Sequence, residues 1–285
     1  MTSRPGRIAL HVFLALTCLM TLAPLLWALY ASLRTYDDTA RNGYFSWAES
    51  LTLDNFANAW TRADLPHYFL NTLLVTVPAL VLVLLLSSMV AYGVSRFSLR
   101  FNLALLMLFT AGNLLPQQVI VTPLYRMFLL VEVPEWVSGS GLLLDSRLGL
   151  VLIHVAFQSG FCVFVLSNYM KTIPHELGEA ARVDGAGVFR QYWQVILPLC
   201  RPALAALATL EFTWIYNDFL WALVLIQTGD KMPVTSALQN LKGTFFTDNN
   251  LVAAGSLLVA LPTLVVFFVL QRQFVDGLTL GSTKG

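Results

Sequence analysis

The 285 residues are 57% hydrophobic and only 12% charged, with a mean hydropathy of +0.69. A soluble domain carries roughly 25% charged side chains, so this chain lacks the charge to cover a water-facing surface. A net charge of +1 gives a polyanion nothing to hold, which excludes nucleic acid as a partner. Cys18, Cys162 and Cys200 are odd in number and match no metal-site spacing, so they read as buried, inert thiols.

A helix that crosses a bilayer needs about 20 apolar residues, because the hydrocarbon core is about 30 Å thick and each residue rises about 1.5 Å. Six segments qualify, at roughly 8–33, 69–94, 103–123, 148–168, 203–227 and 251–270. The chain is therefore expected to be an all-α, multi-pass membrane protein. The first segment follows Arg4 and Arg7, as a secretory signal would, but it exceeds the roughly 7–15 residues of a signal core and is expected to stay as an anchor. The loop 34–66 carries several aromatic and acidic residues and is a candidate landing site for a partner outside the membrane.

The third segment contains Gly112, Asn113, Pro116, Gln117, Gln118 and Pro123. Proline removes a backbone donor and kinks a helix, and polar neighbours or water must then satisfy the freed carbonyl. Two readings stay open: a packing kink, or one wall of a water-accessible path through Gln117 and Gln118. Next comes "MKTIPHELGEAARVDGAGVFRQYWQVILPL", which is mostly polar and helix-prone. Its "HELGE" resembles the start of the zinc motif HExxH, but Glu179 stands where the second histidine belongs. Pro174 suits a first helical turn, and Glu176 and Glu179 favour a helix N-terminus. Gly185 and Gly187 permit a sharp turn with positive φ. Phe189, Tyr192, Trp193 and Ile196 recur at i, i+3, i+4 and i+7, predicting a second helix with one apolar face that Pro198 and Pro202 end. So much structure between two spans points to a docking element; a helix lying on lipid headgroups is the alternative.

The fifth segment reads "TLEFTWIYNDFLWALVLI". On a continuous helix Glu211, Trp214, Asn217, Asp218 and Trp221 share one face. A carboxylate at mid-bilayer costs about 2.5–3.5 kcal/mol on insertion scales, so this stripe must face protein, water or a polar solute. It is either hydrogen-bonding glue between helices or a translocation lining, with rings that stack on a sugar and polar groups that hold its hydroxyls.

Lys and Arg in the flanks set the orientation. With the N-terminus in the cytoplasm, Arg4, Arg7, Arg96, Arg100, Lys171, Arg182, Arg190, Arg201, Arg272 and Lys284 fall inside, and acidic residues are denser outside. Both termini and the stretch 170–198 are then cytoplasmic. The expected organisation is a first helix and external loop over 1–68, a five-helix core over 69–271 that includes the loop 170–198, and a tail over 272–285.

"EAARVDGAGVFRQYWQVILP" resembles the EAA motif of permease subunits of ABC importers, with matches at Glu179, Ala180, Ala181, Gly185, Leu197 and Pro198; Val195 replaces the usual isoleucine. The ending "QRQFVDGLTLGSTKG", with Gly277, Gly281 and Lys284, resembles the C-terminal signature of maltose-type carbohydrate permeases. "TPLYRMF", "GLLLDSRLGLVL" and "YNDFLWALVL" are similar to the same family, although Tyr216 stands where tryptophan is usual. The resemblance implies the type I importer permease fold, a second permease forming a heterodimer, an ATPase dimer that binds ATP and Mg, and a solute-binding protein outside. It implies a non-catalytic chain of the cytoplasmic membrane that carries no cofactor of its own. Glu179 to Pro198, with Asp184 among them, would be the element that seats in the ATPase, and the tail would reach toward that interface. "GLTLGSTKG" misplaces the lysine of a phosphate-binding loop, in keeping with ATP held by another polypeptide. A di- or oligosaccharide is the expected cargo. The alternatives are a non-sugar solute such as a glycerol phosphate, or an ion-gradient transporter using Glu211 and Asp218 as ion sites.

Overall fold

The computed structural model describes the backbone over 4–98, 100–114, 116–242 and 247–279, and side chains over 6–98, 100–112, 116–242 and 247–271. Among the described residues the chain is helical and forms no strand beyond isolated bridges such as Arg34–Leu51. In order the helices are α1 (Arg4–Ser32), α2 (Tyr36–Asn42), α3 (Asp54–Arg62), α4 (Leu65–Arg96), α5 (Asn102–Leu114), α6 (Gln117–Leu130), α7 (Arg147–Thr172), α8 (Glu176–Val183), α9 (Val188–Gln191), α10 (Leu197–Leu199), α11 (Arg201–Tyr216), α12 (Leu220–Leu225), α13 (Val234–Ala237) and α14 (Asn249–Thr279). A π-helical turn, Tyr192–Ile196, joins α9 to α10.

Among the described residues four helices are long and apolar enough to cross a membrane: Gly6–Ser32, Leu65–Arg96, Arg147–Thr172 and Asn249–Gln271. Two further spans are possible if each of two bent helix pairs crosses as one. In the first pair, which falls on the expected third span, α5 and α6 meet at 95°, a sharper turn than a kink within one continuous helix. Pro116 is extended (ψ 125°) at the N-cap of α6, where a missing N–H leaves no helical bond unmade. The second pair, Val188–Leu199 and Arg201–Tyr216, bends by 74° at Cys200.

The chain divides into two compact units. The first comprises Met1–His67 and Ala237–Leu261 and is organised by Arg34, which is fully buried. Its Nε donates to Asp38 Oδ2 at 2.8 Å, Nη1 to the carbonyls of Gly43, Tyr44 and Ser46, and Nη2 to Ser46 Oγ. The Arg34 guanidinium, and after it the Asn42 amide, hold the Asp38 carboxyl down at about 2. Asn250 Nδ2 donates to the Arg34 carbonyl at 2.9 Å, and Asn55 Nδ2 donates to the carbonyls of Ser32 and Arg34. A buried ion pair survives when its remaining donors are also satisfied, which is the condition met here.

The second unit comprises Tyr68–Ser236 and Pro262–Gly285 and is built on α7. Lipid-embedded helices gain little from the hydrophobic effect and associate by close packing and hydrogen bonds, which small residues permit. Ala79, Ser87 and Ala91 of α4 are accordingly buried, and Ser87 Oγ donates to the Ser159 carbonyl of α7 at 3.3 Å. Ser146 caps α7 by accepting from Gly149 N–H. A Cβ on Gly149 would stand 2.8 Å from the Leu143 carbonyl oxygen, so this turn requires glycine. One residue earlier, Asp145 (φ 60°) accepts from the backbone N–H groups of Gln227 and Thr228, from Thr228 Oγ1 and from Lys231 Nζ at 2.9 Å. It clasps the chain leaving α12 to the start of α7.

Candidate functional site

The fifth span does not run through. Helix α11 ends at Tyr216, and α12 begins at Leu220. The side chain of Asp218 is the physical reason. Its carboxylate accepts from the backbone N–H groups of Trp221 (3.4 Å) and Ala222 (3.1 Å), capping α12 with a charge that favours a helix N-terminus. Asn217 turns back, its Nδ2 donating to the Thr213 carbonyl at 2.8 Å.

The break opens a cavity of about 560 Å³ lined by Gln117, His154, Phe157, Gln158, Thr213, Trp214, Asn217, Asp218, Phe219, Leu220 and Trp221. His154 Nε2 lies 3.8 Å from Asp218 Oδ2, and the Asp218 carbonyl accepts from Thr235 Oγ1 at 2.6 Å. Trp214 is 45% exposed and meets Phe161 edge-on at 5.4 Å, while buried Trp221 lies 5.3 Å from Phe157. Amides, a hydroxyl and one carboxylate thus alternate with aromatic faces, and none of these lining residues is Lys or Arg. The arrangement can stack and hydrogen-bond a hydroxyl-rich solute, and its charge is wrong for an acidic one.

The cavity gathers Gln117, Trp214, Asn217, Asp218 and Trp221, all expected from the sequence. Gln118 is exposed elsewhere. Glu211 also falls away from the expected stripe, because the break at Asn217 ends the shared face. It is buried against α7, accepts from Cys162 Sγ at 3.1 Å, and leaves Oε2 without a hydrogen-bond partner. His154 and Gln158 were missed. Their signal was present as a polar i, i+4 pair inside an otherwise apolar span.

The stretch 174–199 forms a second site. Gly185 has φ +79° and makes the expected elbow after α8, and Gln191 Nε2 closes it with a bond to the Ala186 carbonyl at 2.7 Å. Glu179, Ala180 and Asp184 are exposed, Ala181 is half-buried, and Leu197 and Pro198 are half-buried near the bend. The apolar face expected of Phe189, Tyr192, Trp193 and Ile196 splits. Tyr192 and Ile196 are buried, whereas Phe189 is 66% exposed and Trp193 43%. The π-turn causes the split. Leu197 N–H bonds to the Tyr192 carbonyl five residues back, which widens the turn and rotates the preceding side chains out of register. Pro198 clashes with a helical carbonyl four residues before it, which makes a widened turn favourable there. Tyr192 fixes the element to α4 through a 2.7 Å bond with Ser88 Oγ. Arg96, at the end of α4, donates from Nη2 to the Met170 carbonyl at 3.0 Å and lines a cavity of about 160 Å³ with His175, Glu179 and Arg182. In the tail, Gly277 lies on the helical backbone of α14, while Gly281 and Lys284 lie outside the described residues.

These features define a polytopic helical membrane protein with a polar cavity inside its bundle. Residues 56–278 match the family model described as the binding-protein-dependent transport system inner membrane component, and the chain belongs to that family. A diacetylchitobiose uptake system permease protein of Streptomyces coelicolor is 32% identical over 96% of this chain and 88% of its own length. A melibiose/raffinose/stachyose import permease protein of Bacillus subtilis is 31% identical over 82% of each chain. The resemblance to carbohydrate-uptake permeases read from the EAA motif and the tail is therefore borne out by sugar-permease relatives. A crystal structure of a bacterial ABC transporter involved in import of the acidic polysaccharide alginate contains a chain with the same fold. It has a TM-score of 0.80 at 22% identity, over 96% of this chain and 99% of that one.

Proposed function

We propose that this chain is the membrane permease of an ATP-driven importer for a neutral di- or oligosaccharide. Six spans, with each bent pair crossing once, place both termini and the hairpin 174–199 in the cytoplasm. The chain pairs with a second permease and receives solute from a solute-binding protein. The carrying observation is mechanical. The hairpin exposes Glu179, Ala180 and Asp184 and continues through one bend into α11, whose far end supplies Trp214, Asn217 and Asp218 to the cavity. A separate ATPase dimer, holding ATP and Mg, grips the hairpin around Glu179, and its closure moves the cavity wall. The tail bearing Gly277, Gly281 and Lys284 reaches toward the same ATPase. The lone carboxylate of the cavity, with no cation beside it, favours neutral sugars over uronates.

The test is reconstitution with the partner subunits and measurement of ATP-dependent uptake. Glu179→Lys is expected to insert normally yet to cut uptake at least about tenfold, a loss of some 1.4 kcal/mol of coupling or more. Normal uptake by that variant overturns the hairpin's role. The His154–Asp218 pair gives a second reading, a proton-driven transporter. In that case uptake would collapse with an uncoupler and ignore ATP.

A further inference from the structure

His154 and Asp218 line the large cavity, and the same two residues line a second, much smaller void. This void offers about 10 Å³ to the centre of a water. That is about the least space one buried water needs. Its polar lining is completed by Thr72 and Thr76 of α4, and the remaining walls are apolar. The two threonines differ. Thr72 Oγ1 donates to the Tyr68 carbonyl and accepts from Val234 N–H at 2.8 Å. Thr76 Oγ1 is buried and bonds to no other protein atom. A helical threonine commonly avoids this by donating to the carbonyl four residues back. Thr72, Thr110, Thr209 and Thr213 all do so in this chain, and Thr76 does not.

Across the void the contacts are equally incomplete. His154 Nε2 stands 3.8 Å from Asp218 Oδ2, too far for a direct hydrogen bond and a separation that a shared water spans. The Asp218 carboxylate has two backbone N–H groups, at 3.1 and 3.4 Å, for about four acceptor positions. We propose that this void binds one water, held by Thr76 Oγ1, Asp218 Oδ2 and His154 Nε2, and that Thr76 is thereby a positioning residue for the carboxylate of the large cavity. Thr76 donates to the water, and the water donates to Oδ2. The imidazole supplies the third contact, as donor or acceptor according to its tautomer, and about three contacts are usual for a buried water. A space for one water gives each wall atom almost no accessible surface, in keeping with Thr76 at 0% and His154 at 4%. The water ties Asp218 to α4 and α7, where the two N–H groups of α12 alone would hold it by long bonds.

Neither the site nor its test depends on what the large cavity carries. The full-length chain is purified with its partner subunits and imaged by high-resolution electron cryomicroscopy. A solvent peak within hydrogen-bond reach of both Thr76 Oγ1 and Asp218 is expected. An empty void, or a Thr76 hydroxyl turned onto the Thr72 carbonyl, overturns the proposal. Two variants separate the hydroxyl from the shape of the side chain. Thr76→Val keeps the shape and removes the hydroxyl, and Thr76→Ser keeps the hydroxyl and removes a methyl. Thr76→Val is expected to lower the melting temperature of the complex by a few degrees, and Thr76→Ser by less. A hydroxyl buried without a water gives the reverse order, because deleting an unsatisfied polar group is neutral or stabilising. A melting temperature of Thr76→Val at or above the parental value therefore overturns the water, as does a fall in Thr76→Ser as large as in Thr76→Val. In the map of Thr76→Val the peak should vanish and the His154 Nε2–Asp218 Oδ2 separation should move from 3.8 Å. An unchanged separation overturns the positioning role.

Discussion

Around Arg34 the side-chain nitrogens end on oxygens of the same unit, whereas around Asp218 several polar groups look into open volume. Both are ionisable side chains largely withdrawn from solvent. Arg34 organises a knot with no space left in it, and its carboxylate partner is four residues along the chain. Asp218 is anchored to two backbone N–H groups and still borders a cavity with Asn217, Gln117 and Trp214. Buried polar groups whose bonds are complete specify a structure, while polar groups that converge on a void are available to a solute. The first region should therefore answer to tests of folding and the second to tests of transport.

The largest effect is expected from Arg34→Ala, which takes away the buried Asp38 carboxylate's cation and a donor shared by three carbonyls. The protein should be lost from the membrane fraction, and Arg34→Lys, a point charge without the planar fork, should restore only part of it. Full yield of Arg34→Ala would break the comparison. Asp145 comes next. Asp145→Ala removes a charged acceptor from Thr228, Lys231 and Gln227 and should lower stability by about 2–3 kcal/mol, read by thermal unfolding in detergent. Burial pushes the Asp145 carboxyl up, but bonds from Thr228 and Lys231 and from the backbone N–H groups of Thr228 and Gln227 outweigh it and hold it at about 2. An unfolded aspartate titrates near 3.9, so this contribution should be complete above about pH 4 and fade as the pH falls from about 4 to 2. The Asp145→Ala variant should lose that acid-dependent part of the melting curve.

Asp218→Ala should lower uptake several-fold while the ATPase stays bound, with a fall in melting temperature no larger than the loss of one helix cap, about 0.5–2 kcal/mol, brings. Uptake at the parental rate would make the Asp218 region packing, like the Arg34 knot. Gln117 and Gln118 give the smallest and sharpest contrast. Gln117→Ala should reduce uptake modestly and Gln118→Ala should leave it unchanged, because only the first lines the cavity.

The apolar runs at 69–94, 148–168 and 251–270 were legible because hydropathy reports burial in lipid without regard to detail, and helices α4, α7 and α14 cover them. The elbow at Gly185 was legible because few residues other than glycine accept a φ of +79°. Periodicity failed at two places where one side chain alters the backbone ladder. Asp218 bonds forward to Trp221 and Ala222 and divides the fifth span, a cap that an Asp just before "FLWALVL" could have signalled. Pro198 accompanies a π-turn that splits the face shared by Phe189 and Tyr192. The Arg34 knot was hidden for another reason. Its acceptors are mostly main-chain carbonyls, which carry no residue signature.

Under the proposed coupling, the bend at Cys200 would make a bell crank of the hairpin and α11. The 16 residues of α11 give an arm of about 24 Å at about 1.5 Å each, so a swing of about 10° about Cys200 carries the Tyr216 end through about 4 Å. That stroke is about the thickness of one sugar ring.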